Sequence, residues 1–355
     1  MQRRLDQPST ATFTRQVSAV PTAPCTFKTS LTVNPSISRA ASPSWCPCLE
    51  DNHPRSRQLV HAVCRTRSAR RAASCLGEGA MLSKYLQRGS SPIDWCESNY
   101  SYSSVIAEFG NTVSNLVFLV LPPLLAVLHR AYASKVQPGI RLLWLLFVVV
   151  GLSSAYFHAT LSLVGQLLDE LSILWLLTVA VCMFYPRRFF PRFARGDRSV
   201  PRPRRAVTCR AVFGLAAVGG GLVFTGLGMV RPVVNALALM LLGVCVVLLL
   251  VVELRRLRGR VYRLGVRSVV AWLLAVACWI ADYALCDTLR AINLTFLHAV
   301  FHLLSFMAAY TIVVVFSHQY VAAERCDLRP SLSYWPRDNC ELGVPYVVVR
   351  PGRSQ

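Results

Sequence analysis

Three histidines stand inside strongly apolar sequence, where an ionisable side chain costs a few kcal/mol to insert and so usually has a function. His158 ends the run Ser153-Ser154-Ala155-Tyr156-Phe157-His158, and His298 and His302 lie four apart in Phe296-Leu297-His298-Ala299-Val300-Phe301-His302. That spacing puts the pair on one helix face, where both imidazoles can bind one metal. Three neutral imidazoles leave a fourth position open, which is the arrangement of a catalytic zinc ion, Zn2+. Asp169 and Glu170 follow in the next apolar run. Asp169 is the better base candidate, and Ser154, one turn before His158, is placed to hydrogen-bond a developing oxyanion. Glu170 points about 100° away from Asp169 around the helix and reads as structural. The plainer alternative makes the histidines bundle-facing hydrogen-bonding groups and Ser154 a helix-packing residue.

These residues need a scaffold, and the composition says which kind. The 355 residues are 54% hydrophobic and only 15% charged, too apolar for an ordinary soluble domain of this length. Seven apolar stretches, near 106–128, 140–160, 163–185, 207–229, 232–254, 265–285 and 294–316, each match the thickness of a bilayer core. The fold class expected is therefore all-α: an integral membrane bundle of seven transmembrane helices. Gly219-Gly220-Gly221 and Arg210 make the fourth stretch the weakest helix of the set. The net charge of +21 would suit nucleic acid, but the arginines sit in loops and in the N-terminal stretch rather than on a basic patch, so no nucleic-acid partner is expected.

Loop charge orients the bundle. Arg130 and Lys135, then Arg187 to Arg205, then Arg255 to Arg263 fall in alternate connections, whereas the others carry only Arg231 and Arg290. The positive-inside rule then puts the C-terminus in the cytosol and the N-terminal segment in the lumen or outside. With that orientation Ser154, His158, Asp169, His298 and His302 all fall in one layer near the lumenal side. Charge and chemistry were read independently, and they converge. His129 and His318, at the ends of spans, read as interfacial.

Four regions follow. Residues 1–80 are rich in Ser, Pro, Thr and Arg without apolar periodicity and hold five of the 13 cysteines (Cys25, Cys46, Cys48, Cys64, Cys75). They read as a disordered extension, and Met81 as the start of the functional product. Residues 81–105 form a lumenal segment, 106–316 the seven-helix domain, and 317–355 a cytosolic tail. Within 81–105, Asp94-Trp95-Cys96-Glu97-Ser98-Asn99, with Glu108 just beyond, offers oxygens suited to a hard cation, although the spacing is not that of an EF-hand and a solvated helix-entry turn is the default reading of the residues alone. Cys96 and Cys286 share the lumenal side, where an oxidising compartment permits a disulfide without requiring one.

Taken together, Asp94-Trp95-Cys96-Glu97-Ser98-Asn99, Tyr156-Phe157-His158-Ala159-Thr160-Leu161, Gln166-Leu167-Leu168-Asp169-Glu170, His298 with His302, and Tyr334-Trp335-Pro336-Arg337-Asp338 resemble the alkaline ceramidases over roughly residues 90–350. The resemblance implies a seven-helix hydrolase that cleaves the amide bond of ceramide, drawn from the surrounding membrane lipids, to sphingosine and a fatty acid. It implies zinc on His158, His298 and His302, with Ser154 and Asp169 as the catalytic pair. It further implies calcium, Ca2+, on Asp94, Trp95 (through its carbonyl), Glu97, Asn99 and Glu108, and a Cys96–Cys286 disulfide. The compartment it implies is the endoplasmic reticulum, with the Golgi as alternative; the oligomeric state is unknown from these motifs. A seven-helix lipid-sensing receptor with structural zinc is the alternative of a different class.

Overall fold

The computed structural model describes residues 85–190 and 204–352. The expectations for residues 1–80 and for Arg192 to Arg202 lie outside the described residues. Among the described residues seven helices are long and apolar enough to cross a membrane: Phe109–Leu128, Ile140–Thr160, Leu163–Phe184, Cys209–Val230, Pro232–Leu254, Gly259–Ala284 and Leu297–Glu324. We number them as spans one to seven. They agree with the seven apolar stretches except at polar ends. The sixth begins at Gly259 and the seventh continues to Glu324, because backbone hydrogen bonding does not stop where hydropathy falls and long charged side chains reach outward from a helix end. Arg210, a weakness of the fourth stretch on sequence grounds, stays helical with its guanidinium 2.8 Å from Glu324 and donating to the Met183 carbonyl.

Two local features place the chemistry. The second and third spans are joined by Leu161, in the left-handed region at φ 48°, and Ser162, whose hydroxyl accepts the Gly165 N–H and caps the third span. This tight reversal brings the Ser154 turn beside the Asp169 turn. Gly151 allows the second span to meet the first: a Cβ there would lie 2.5 Å from the Phe118 Cβ, the close approach that small residues give membrane helices. Below that contact Phe118, Phe147 and Phe306 pack edge to face around the seventh span, with Phe306, Val314 and Val315 fully buried.

The region expected to be a simple tail holds more structure. After the seventh span, β1 (Leu328–Trp335) and β2 (Val344–Pro351) pair antiparallel, with Leu332 opposite Val347. Leu332, Tyr334, Val347 and Val349 alternate inward to the bundle end opposite the histidines. The hairpin loop is held by Asp338 and Glu341, which bind Arg260, Arg263 and Arg267 at the start of the sixth span. His129 is accordingly not interfacial. It is fully buried, its Nδ1 facing the Leu125 carbonyl and its Nε2 accepting the Val347 N–H at 3.4 Å.

Burial pushes the His129 imidazole, just beyond the first span, down from 6.5 to about 4. Its folded pKa lies below the open-chain value, so its stabilisation is complete above about pH 6.5 and is lost as pH falls towards 4, on the order of 3 kcal/mol. Asp338 and Glu341 are held below the ordinary carboxylate range, first by hydrogen bonds from Arg260 and Arg263 respectively, and their contribution disappears in acid with the same sign. Amide exchange across residues 328–351 is expected to accelerate between about pH 6.5 and pH 4 relative to the seventh span. Equal protection at both values would refute the docking role of His129; the part played by Asp338 and Glu341 is lost only below about pH 4.

Candidate metal centre

Each histidine is oriented by a neighbour. His158 is fully buried at the end of the second span, and its Nδ1 lies 2.6 Å from Glu108 Oε2, leaving Nε2 without a protein partner. His302 places Nδ1 2.7 Å from the Ser114 hydroxyl on the first span. The His298 ring stacks on Trp95 with centroids 3.7 Å apart. The three rings stand 4.7–5.0 Å apart by centroid, and one ligand atom from each lies within 4.8 Å of the others. Among the described residues no other group of three or more His, Cys, Asp or Glu side chains meets that spacing.

The donor set fits zinc. It is all imidazole nitrogen, one of its inward atoms is an orphaned buried nitrogen, and a carboxylate steadies the far side of one ring, as outer partners of metal-binding histidines commonly do. Ser154, buried one turn below His158, lies beside the Asp169 carboxylate. Asp169 Oδ1 is buried and has no hydrogen-bond partner among the described residues. Ser154 and Asp169 therefore face each other from the second and third spans. Glu170 belongs to a different network: its oxygens accept Gln166 Nε2 and Asn235 Nδ2, which agrees with a structural role.

The N-terminal segment covers this layer. The Ala107 and Glu108 amides donate to the Ala159 and His158 carbonyls, tying the segment to the end of the second span. Glu97 accepts the Gly110 and Asn111 amides and so caps the first span from outside it. Glu108 accepts the Trp95 amide and Asn111 Nδ2 besides facing His158. Asp94 accepts Asn99 Nδ2. These acids share the segment without converging as the histidines do. Burial pushes Glu108 up to about 7; hydrogen bonds from Asn111 and Trp95 oppose the shift, and the negative charge of Asp94 adds to it. Neither acid is paired with an arginine or lysine among the described residues. The Cys96–Cys286 disulfide is present, with Cα atoms 5.2 Å apart.

Several residues that position the site escaped the sequence reading. Asp282, buried in the sixth span, accepts the Cys96 amide through Oδ2 and the His298 amide through Oδ1. The rule that singled out Asp169, an acid inside an apolar run, applies to it equally. Ser114, Asn111 and Asn115 form a polar face on the first span beside His302; their side chains are common enough in membrane helices that only the imidazole beside them reveals their role.

Seven apolar helices among the described residues, around a buried three-histidine group that could hold a metal ion, define a multi-pass membrane protein. The ceramidase family model matches residues 87–348. The chain is 46% identical to a Drosophila melanogaster alkaline ceramidase over 78% of its own length and 94% of that protein. It is 39% identical to human alkaline ceramidase 1 over 74% and 95%, and 26% identical to mouse alkaline ceramidase 3 over 62% and 80%. The chain belongs to the ceramidase family, is an enzyme of that class, and is more similar to these type 1 and insect relatives than to the type 3 protein.

Proposed function

We propose that this protein hydrolyses the amide bond of ceramide, releasing sphingosine and a free fatty acid, with zinc on His158, His298 and His302. The observation that carries the reading is the buried three-histidine group with the Ser154–Asp169 pair one helical turn away. When bound, zinc supplies Lewis acidity towards a carbonyl oxygen and towards water. The chain supplies the rest. Ceramide enters laterally from the bilayer, and Asp169, at its free Oδ1, takes the proton of the attacking water. Ser154 turns its hydroxyl from Asp169 to the developing oxyanion, and Asp169 returns the proton to the departing amine.

Calcium on Asp94, Trp95 (carbonyl), Glu97, Asn99 and Glu108 belongs to the same proposal. Glu108 faces His158, so an ion that steadies Glu108 also steadies a zinc ligand. The basic connections support a lumenal N-terminus and cytosolic C-terminus, and the disulfide supports an oxidising compartment on the histidine side, in keeping with the endoplasmic reticulum or Golgi.

The test is release of sphingosine and fatty acid from a fluorescent ceramide by purified protein, with bound metals quantified. Stoichiometric zinc without product would instead support the receptor alternative. A calcium-selective chelator is expected to lower turnover about tenfold in zinc-replete protein; unchanged turnover would remove calcium from the proposal.

A further inference from the structure

We infer that Asp282 is a positioning residue of the histidine centre: one carboxylate holds both the backbone that carries His298 and the segment whose Trp95 covers its ring. The inference rests on the proposed metal role of His298. The first turn of any helix leaves amide N–H groups without partners in the helix, and a polar side chain just before it usually satisfies one. The seventh span begins at Leu297 behind Phe296, which has no such group and makes no cap. Asp282 supplies the cap from the neighbouring span, its Oδ1 3.2 Å from the His298 amide. A carboxylate at a helix N-terminus is favoured electrostatically as well.

Its other oxygen, Oδ2, accepts the Cys96 amide at 3.0 Å. The next residue back, Trp95, lies on the His298 ring at 3.7 Å between centroids and 22° between planes. His298 is thus held twice through one side chain, its backbone directly and its ring face by way of residues 95 and 96. Fastening the segment to the end of the sixth span needs no carboxylate, because the disulfide from Cys96 to Cys286, just beyond that span, does so covalently and Arg290 Nε donates to the Cys96 carbonyl. What Asp282 adds is register between the segment and the first turn of the seventh span.

The measurement is metal affinity of the full-length protein in detergent, by chelator competition for zinc and by the visible spectrum of the cobalt(II)-substituted form, which reports ligand geometry. Asp282→Asn keeps size and one acceptor oxygen, Asp282→Ala keeps neither, and a Cys96→Ser/Cys286→Ser protein loosens the segment alone. Asp282→Asn is expected to bind zinc about 10- to 100-fold more weakly with a changed cobalt spectrum, while the disulfide-free protein stays near wild type. Wild-type affinity and spectrum in Asp282→Asn overturn the inference, as does an equal loss in the disulfide-free protein. Should Asp282→Ala not fold, the asparagine variant decides alone. If the wild type itself binds no stoichiometric metal, the proposed zinc centre fails. Amide exchange at Cys96 and His298 then decides the positioning role, which falls if Asp282→Asn leaves both as protected as in the wild type.

Discussion

His298→Ala is expected to purify with little or no zinc and to release no fatty acid from ceramide above the uncatalysed background. The alanine removes one of three nitrogens that the spans bring together, and the two left, His158 and His302, sit on different helices with no fourth imidazole in reach among the described residues. A two-histidine site loses both affinity and the geometry that leaves one position open. It also strips Trp95 of its stacking partner, so thermal stability should be recorded beside metal content, with His318→Ala as a control for loss of an imidazole elsewhere on the same helix. Zinc and turnover both retained in His298→Ala would place the chemistry elsewhere in the bundle.

Asp169→Asn separates the base from the metal. Among the described residues none of the three histidines touches Asp169 by hydrogen bond, so zinc content is expected to remain at the wild-type level. Turnover should fall by about 10²- to 10⁴-fold, the usual contribution of a positioned acid–base group, with KM little changed because the loss lies in proton transfer. Together the two variants distinguish the parts of the site, since one loses metal and turnover and the other turnover alone. Turnover preserved in Asp169→Asn would rule this carboxylate out as the base.

Much of this site was legible along the chain because its signals are one-dimensional. A run of about 20 apolar residues spans a bilayer whatever its neighbours, and His298 and His302 share a helix face by their separation alone. The depth of Ser154, His158 and Asp169 followed from counting along helices whose direction alternates. Where the reading stopped, each cause is specific. His129 looked interfacial because it ends a span, and only the hairpin folded over it buries it. That hairpin was missed because two eight-residue strands declare themselves by pairing, and their partners are separated by the loop that Arg260, Arg263 and Arg267 hold.

Glu97 and Glu108 show the same limit within the site. Their type marks them as cation ligands or solvated acids; the fold makes one a cap on the first span and turns the other towards His158. Asp282 is an acid inside a span, yet its two partners lie 186 and 16 residues away. Sequence alone therefore determined which groups are costly in lipid and which of them share a helix face, because hydropathy and helical periodicity are properties of short stretches. Tertiary structure decided which partner satisfies each of them, because a buried polar group must be paired and the partner on offer is whatever the packing of distant helices brings within 3 Å or so.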